Sequence, residues 1–164
     1  MPDRRTTERA RRDKRQGKSA STQAGEFVRE EIHHVRSGKH GARSTKQAIA
    51  IGLSKARRAG VRLPAKGTSA RTRTQAKRDI AKGRKSRRKA SITRSRAVRG
   101  ALRREGHTAA SSRSLAKQAR ASARRRSASQ RSAAARKAAR TKGAAGRKAA
   151  ARKAARTRAG QLAA

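Results

Sequence analysis

The sequence predicts an all-α fold: a small helical hairpin with additional helical segments and long basic tails that are disordered or conditionally helical. Three observations lead there. Of sixteen large apolar residues (Val, Ile, Leu, Met, Phe), nine lie between positions 21 and 64: Phe27, Val28, Ile32, Val35, Ile49, Ile51, Leu53, Val61 and Leu63. They recur at the three- and four-residue spacing of a helix, and no alternating β-branched run suggests a strand. The third observation is charge. Fifty Lys and Arg stand against eight Asp and Glu, a net +42 over 164 residues. Self-repulsion on that scale opposes compaction. Fifteen Val, Ile, Leu and Phe, about 9% of the chain, fall well below the ~20% under which a highly charged sequence is normally disordered.

In chain order, residues 1–20 read as a basic N-terminal arm. Arg4, Arg5, Arg9, Arg11, Arg12, Lys14, Arg15 and Lys18 are mixed with Asp3, Glu8 and Asp13, and no large apolar residue follows Met1. Pairs such as Glu8 with Arg12 support transient helix, but no face is expected to be buried. The hairpin core spans 21–64. Phe27, Val28, Ile32 and Val35 lay one apolar stripe on a helix from about Ala24 to Ser37, and Gly38 supplies the C′ residue. Ser44 stands three residues before Gln47, the capping-box spacing, and Ala48, Ile49, Gly52, Leu53 and Ala56 follow on one face until Gly60. Val61 then folds back as the hydrophobic partner of a Schellman cap. Ile32 and Val35 are expected to face Ile49 and Leu53 across the turn, with Lys55 exposed.

The segment 65–106 is basic and partly helical. Thr72-x-x-Gln75 begins a short helix that Gly83 ends, and Ile92, Ser95, Val98 and Leu102 mark another from about Arg87 to Glu105. Residues 107–164 form an Ala/Arg/Lys-rich low-complexity tail, with seventeen basic residues and no acidic one. It repeats itself, as AAARKAARTKG from Ala133 and AAARKAARTRAG from Ala149. Ala and Arg favour helix, yet the cations wind around every side, so no face is left for a core.

The run Lys46, Gln47, Ala48, Ile49, Ala50, Ile51, Gly52, Leu53, Ser54, preceded by Gly38-Lys39-His40-Gly41, resembles a family of small basic bacterial proteins. Their shared segment is a helix ending near Gly-Lys-x-Gly, followed by a Lys-Gln-Ala-Ile-Ala-Ile-x-Leu-Ser helix. The likeness covers about a quarter of the chain. Members often carry Ala in place of Gly52, a glycine that weakens a helix by ~1 kcal/mol unless helices cross closely there. That family has no established activity, so the resemblance implies the hairpin and no chemistry. The tail after residue 106 is similar in composition to those of linker histones and bacterial histone-like proteins, which implies DNA compaction.

The chain has no cysteine, so disulfides and thiolate chemistry are excluded. It has no apolar run of membrane-spanning length, and Arg4-Arg5 is followed by no apolar stretch of a secretory or twin-arginine signal. A cytoplasmic, nucleoid-associated protein is expected, not an enzyme. No cofactor, small-molecule substrate or membrane partner is expected either. His33, His34 and His40 cluster near Glu30, but His33 and His34 point to different sides of a helix and no cysteine assists, so no metal site is expected.

Arg outnumbers Lys by 35 to 15, and the guanidinium binds phosphate in a bidentate fork. The expected function is therefore sequence-independent, non-enzymatic binding that coats or compacts nucleic acid, with the hairpin as a possible self-association module. One Phe and no Trp or Tyr leave little to stack on unpaired bases, which favours double-stranded DNA. Alternatives are an RNA- or ribosome-associated basic protein, or a protein-interaction hairpin tethered to nucleic acid by its tails. The expected phosphate contacts fall in three groups. At the hairpin turn and on the second helix they are Lys39, Arg43, Ser44, Lys46, Arg57 and Arg58. In the linking segment they are Arg87, Arg88 and Lys89. In the tail they are Arg124, Arg125 and Arg126, then Arg136, Lys137 and Arg140, then Arg147, Lys148, Arg152, Lys153 and Arg156. The Gly38–Gly41 turn is read either as a bare turn without a ligand or as one whose glycines and the backbone N–H groups at the second helix's start contact a phosphate.

Overall fold

A computed structural model describes residues 2–65, 69–84 and 91–162. The protein is all-α. Seven α-helices, α1 (Arg4–Arg15), α2 (Ala20–Arg36), α3 (Thr45–Arg58), α4 (Ala70–Arg84), α5 (Ile92–Arg104), α6 (Ser112–Arg124) and α7 (Ala128–Leu162), and a 3-10 turn at Thr108–Ala110 make up the regular structure of the described residues, with no strand among them. Contacts divide the chain into two units, Met1–Gln118 and Ala119–Ala164.

The N-terminal arm is a packed helix, not a solvated segment. Asp3 caps α1 by accepting from the Arg5 N–H, and Thr6, Ala10 and Asp13 form a buried stripe. Small side chains made that stripe illegible as hydrophobic periodicity, yet they let α1 lie close to α2. Ala10 joins Ala24, Phe27, Ala56 and Val61 in one core cluster. The Asp3 N–H also donates to Glu30 Oε2 at 3.1 Å, and Arg9 Nε donates to Glu26 Oε2 at 2.6 Å. Because the early residues of α1 meet the later residues of α2, the pair is antiparallel.

The expected hairpin is α2 and α3. Helix α2 starts earlier than the apolar stripe, at Ala20, with Ser19 accepting from the Thr22 N–H. Gly38 takes φ +74 after its end, with Lys39 N–H bonded to His34 O at 3.0 Å. Ser44 Oγ caps α3 by accepting from Gln47 N–H at 3.2 Å, and Gln47 Oε1 reaches back to Arg43 N–H at 2.8 Å. Past Gly60, the Val61 N–H bonds Ala56 O at 3.0 Å and the Val61 side chain is buried, as a Schellman cap requires.

The buried face of α3 is Thr45, Ala48, Gly52 and Ala56. A Cβ on Gly52 would stand 2.7 Å from Val28 Cα, so the helices cross closely there. The expected facing of Ile32 and Val35 on Ile49 and Leu53 is corrected accordingly. Ile32 and Val35 pack with Ala42, Ala48, Ala109 and Ala110, while Leu53 lies half-buried against the cluster around Phe27. At such a close approach the small residues occupy the seam, and the larger ones flank it.

Helix α4 extends beyond both expected ends, from Ala70 to Arg84, with Ser69 Oγ accepting from the Thr72 N–H. Gly83 does not stop it; a Cβ there would meet Arg58 O at 2.5 Å, so glycine serves a close approach to α3. Helix α5 buries no residue, and Ile92 and Val98 are exposed. The start expected for it at Arg87 lies outside the described residues. The strap after α5 is anchored at the hairpin turn: Thr45 Oγ1 donates to Ala109 O at 2.6 Å and Arg36 Nε to Ala110 O at 2.7 Å.

In the second unit, α7 is helical throughout except at Gly143, where φ +63 and ψ 178 interrupt it. Its described side chains are exposed or nearly so. No helix among the described residues is long and apolar enough to cross a membrane.

Candidate functional site

The hairpin turn, read either as bare or as contacting a phosphate, has several of its amides bonded within the protein. Gly41 N–H donates to Leu102 O at 2.8 Å and Ala42 N–H to Gly106 O at 3.0 Å. Arg43 N–H is held by Gln47. A Cβ at Gly41 would overlap the Glu105 carbonyl, so this glycine admits the strap and not a ligand. The amides of Gly41, Ala42 and Arg43 are therefore engaged within the protein. Lys39, Arg43 and Lys46 remain exposed around it, and Ser44 is spent on capping.

The other expected contacts divide sharply. Arg58 is exposed but pairs with a carboxylate: its Nε and Nη2 lie 3.2 and 3.1 Å from Oδ1 of Asp79, which is fully buried. Ser54 Oγ donates to the other oxygen of Asp79 at 2.9 Å. Arg57 is half-buried, with its Nε enclosed and without an acceptor. Arg87, Arg88 and Lys89 lie outside the described residues. Arg124, Arg125, Arg126, Arg136, Lys137, Arg140, Arg147, Lys148, Arg152, Lys153 and Arg156 are all exposed. No Asp or Glu follows Glu105 to pair with them. Arg147 Nη1 makes a bond to Ala139 O at 2.8 Å, across the Gly143 break.

Glu26, Glu30 and Glu31 are the carboxylates of α2. The structure buries the most important of them. Glu30 is 6% exposed and Glu31 0%. Lys55, expected to be exposed, bridges them, with Nζ 3.4 Å from Glu30 Oε1 and 2.6 Å from Glu31 Oε2. His40 Nε2 lies 3.2 Å from the other oxygen of Glu31. Neither Glu31 oxygen has a hydrogen-bond-aligned donor. His34 completes the nest, its ring set edge-on to His40 with centroids 6.1 Å apart. Burial holds His34 below its ordinary pKa, helped by the charges of Lys55 and Lys39 and opposed by Glu30 and Glu31.

Glu31 and His34 share a helix face at i, i+3, and His40 returns over the Gly38 turn. That spacing was the available signal. Glu30, expected beside the histidines, is instead bound by Lys55 and the Asp3 N–H. His33 is exposed and outside the nest.

The first unit is thus a helical assembly in which buried carboxylates hold cations, and the second is a helix of unpaired cations. A family of unknown function (DUF6496) matches residues 5–67, from within α1 to just past α3. The chain is similar to that family over this span, which includes most of α1. No curated protein and no solved structure matches the chain.

Proposed function

We propose that the protein is a non-enzymatic, sequence-independent DNA-binding protein that coats or compacts the duplex through phosphate contacts, as a histone-like component of the nucleoid. One observation carries this reading: the cations of the second unit are exposed and have no carboxylate to neutralise them. Cations left in that state attract a polyanion, and releasing its condensed counterions drives association. A net charge of +42 neutralises at most about 20 base pairs of duplex, which carries one charge per ~1.7 Å. The first unit contributes Lys39, Arg43 and Lys46 at its surface, while Arg58 serves Asp79. Lack of aromatic side chains, with only Phe27 present and buried, favours a duplex over stacked single strands.

The test compares the full chain with a variant in which Arg136, Lys137, Arg140, Arg147, Lys148, Arg152, Lys153 and Arg156 are all Gln. Duplex affinity is measured by fluorescence anisotropy at several salt concentrations. Removing these eight cations is expected to lower the log–log salt slope by up to about 7 and to abolish condensation. An unchanged slope would overturn the reading. A site preferred more than about a hundredfold over unrelated duplex would replace it with specific recognition.

A further inference from the structure

We propose that Glu31, His34 and His40 form a binding site for a divalent cation of the zinc class, with its remaining position open to water. One ligating atom from each side chain lies within 4.8 Å of the others. Glu31 Oε1 and His40 Nε2 are 3.2 Å apart, close to the ~3.3 Å between two ligands of a tetrahedral zinc at ~2.0–2.1 Å. His34 needs to move inward only by a distance on the order of 1 Å to complete that arrangement.

Two further observations point to a cation between these groups. His40 Nδ1 lies 3.0 Å from Gly41 O. A carbonyl only accepts, so Nδ1 carries the proton and a neutral His40 turns the lone pair of Nε2 towards the Glu31 carboxylate. Lone pair would then face lone pair unless a proton or a metal ion stands between them. A backbone carbonyl on the far nitrogen is also the usual partner that fixes a metal-binding imidazole. The Glu31 carboxylate is also fully buried, and its Oε1, the oxygen not paired with Lys55, accepts no aligned hydrogen bond.

Lys55 does not fill the site. Its ammonium is on Oε2 and on Glu30, leaving Oε1 as a monodentate ligand. Two carboxylates against one ammonium also leave a negative charge for a divalent ion. Two imidazoles and one carboxylate suit zinc, cobalt or nickel better than magnesium or calcium, which prefer all-oxygen sets. A bound ion would tie the turn after α2 to that helix's last two turns and so stiffen the junction at which the strap docks. This site is separate from the phosphate contacts proposed above.

The experiment is a titration of the untagged, nucleic-acid-free full chain with cobalt(II), followed by displacement with zinc. The expected result is one ion per chain, an intense tetrahedral d–d absorption, and loss of that absorption when zinc is added. His34→Ala and His40→Ala are each expected to weaken binding by tenfold or more, since changes to outer partners alone already cost ~10–100-fold. A His33→Ala/His107→Ala double variant is expected to bind as the parent does. Circular dichroism of each variant confirms that the helices persist. Wild-type protein without the tetrahedral band would overturn the site, leaving a protonated His40 between Glu31 and its own carbonyl. So would a band that survives His34→Ala and His40→Ala. Should one variant lose its helices, the other decides.

Discussion

Met1–Gln118 and Ala119–Ala164 are both rich in Arg, Lys and Ala, yet among the described residues only the first builds a core. It holds thirty-five basic residues and all eight carboxylates, against fifteen basic residues and none in the second. Six of those carboxylates, Glu8, Asp13, Glu26, Glu30, Glu31 and Asp79, sit in ion pairs. The exposed pair Arg4–Glu8 contributes little. Four of them act where helices meet: half-buried Glu26 ties α2 to α1, buried Glu30 and Glu31 tie it to α3, and buried Asp79 ties α4 to α3. A few acids placed at seams allow a highly cationic chain to bring helices together. Where acids are missing, helix propensity orders the backbone and leaves the cations to solvent or to a partner.

The comparison breaks most easily at Phe27, which is fully buried with Ala10, Ala24, Ala56 and Val61. Phe27→Ala is expected to destabilise the first unit by about 3–5 kcal/mol, read as a lowered midpoint in urea followed by circular dichroism. Ala149→Ser, on an exposed face of α7, is expected to stay within about 0.5 kcal/mol. Equal effects would mean that both units fold on the same principle.

Next comes Lys55, whose removal strands the buried carboxylates of Glu30 and Glu31. Lys55→Ala is expected to cost about 3 kcal/mol, the lower end for breaking a buried pair. Lys46→Ala, exposed at the start of the same helix, is expected to cost a few tenths at most. Should the two variants melt together, the acids are not holding the helices.

Much of this was legible in the sequence. The turn of the hairpin, its Ser44 cap and the fold-back of Val61 follow from side chains that announce a helix start or stop. Helix α1 was not legible, because its buried face is Thr6, Ala10 and Asp13 and none of these is a large apolar residue. Lys55 was misread for a related reason: position on a helix is periodic, but whether a charge is buried depends on what another helix brings to it. Gly41 shows the limit for the site. A phosphate contact was one reading of its loop, but the end of α5 and the residue that opens the strap, some sixty positions away, take the amides of Gly41 and Ala42.

Gly52 sharpens the comparison on the packing side, since a methyl group there would press on Val28 Cα at 2.7 Å. Gly52→Ala adds about 1 kcal/mol of helix propensity but overpacks the α2–α3 crossing, which typically costs about 1–3 kcal/mol. The expected balance is a net destabilisation on the order of 1 kcal/mol. A rise in the urea midpoint would show that the helices can separate without loss, and that the close crossing is not needed.

The smallest effect is expected at Gly143, and it tests the second unit alone. This residue holds φ +63 and ψ 178 inside α7, a backbone region that side chains other than glycine rarely enter. The flanking runs, AAARKAARTK before it and AAGRKAAARKAARTR after it, are built from strong helix formers. Nothing lies within 4 Å of where a Cβ would stand. Gly143→Ala therefore meets no steric obstacle in the surroundings, only its own backbone strain, and that strain is relieved when the helix runs straight through. Far-ultraviolet circular dichroism is expected to show added helix at low temperature, from a local gain of about 1 kcal/mol. The cooperative urea transition of the first unit should stay within about 0.5 kcal/mol, because no core contact depends on this residue. A shifted transition would show that α7 contributes to the stability of the first unit. Unchanged helicity would instead show that Gly143 does not limit helix in the tail.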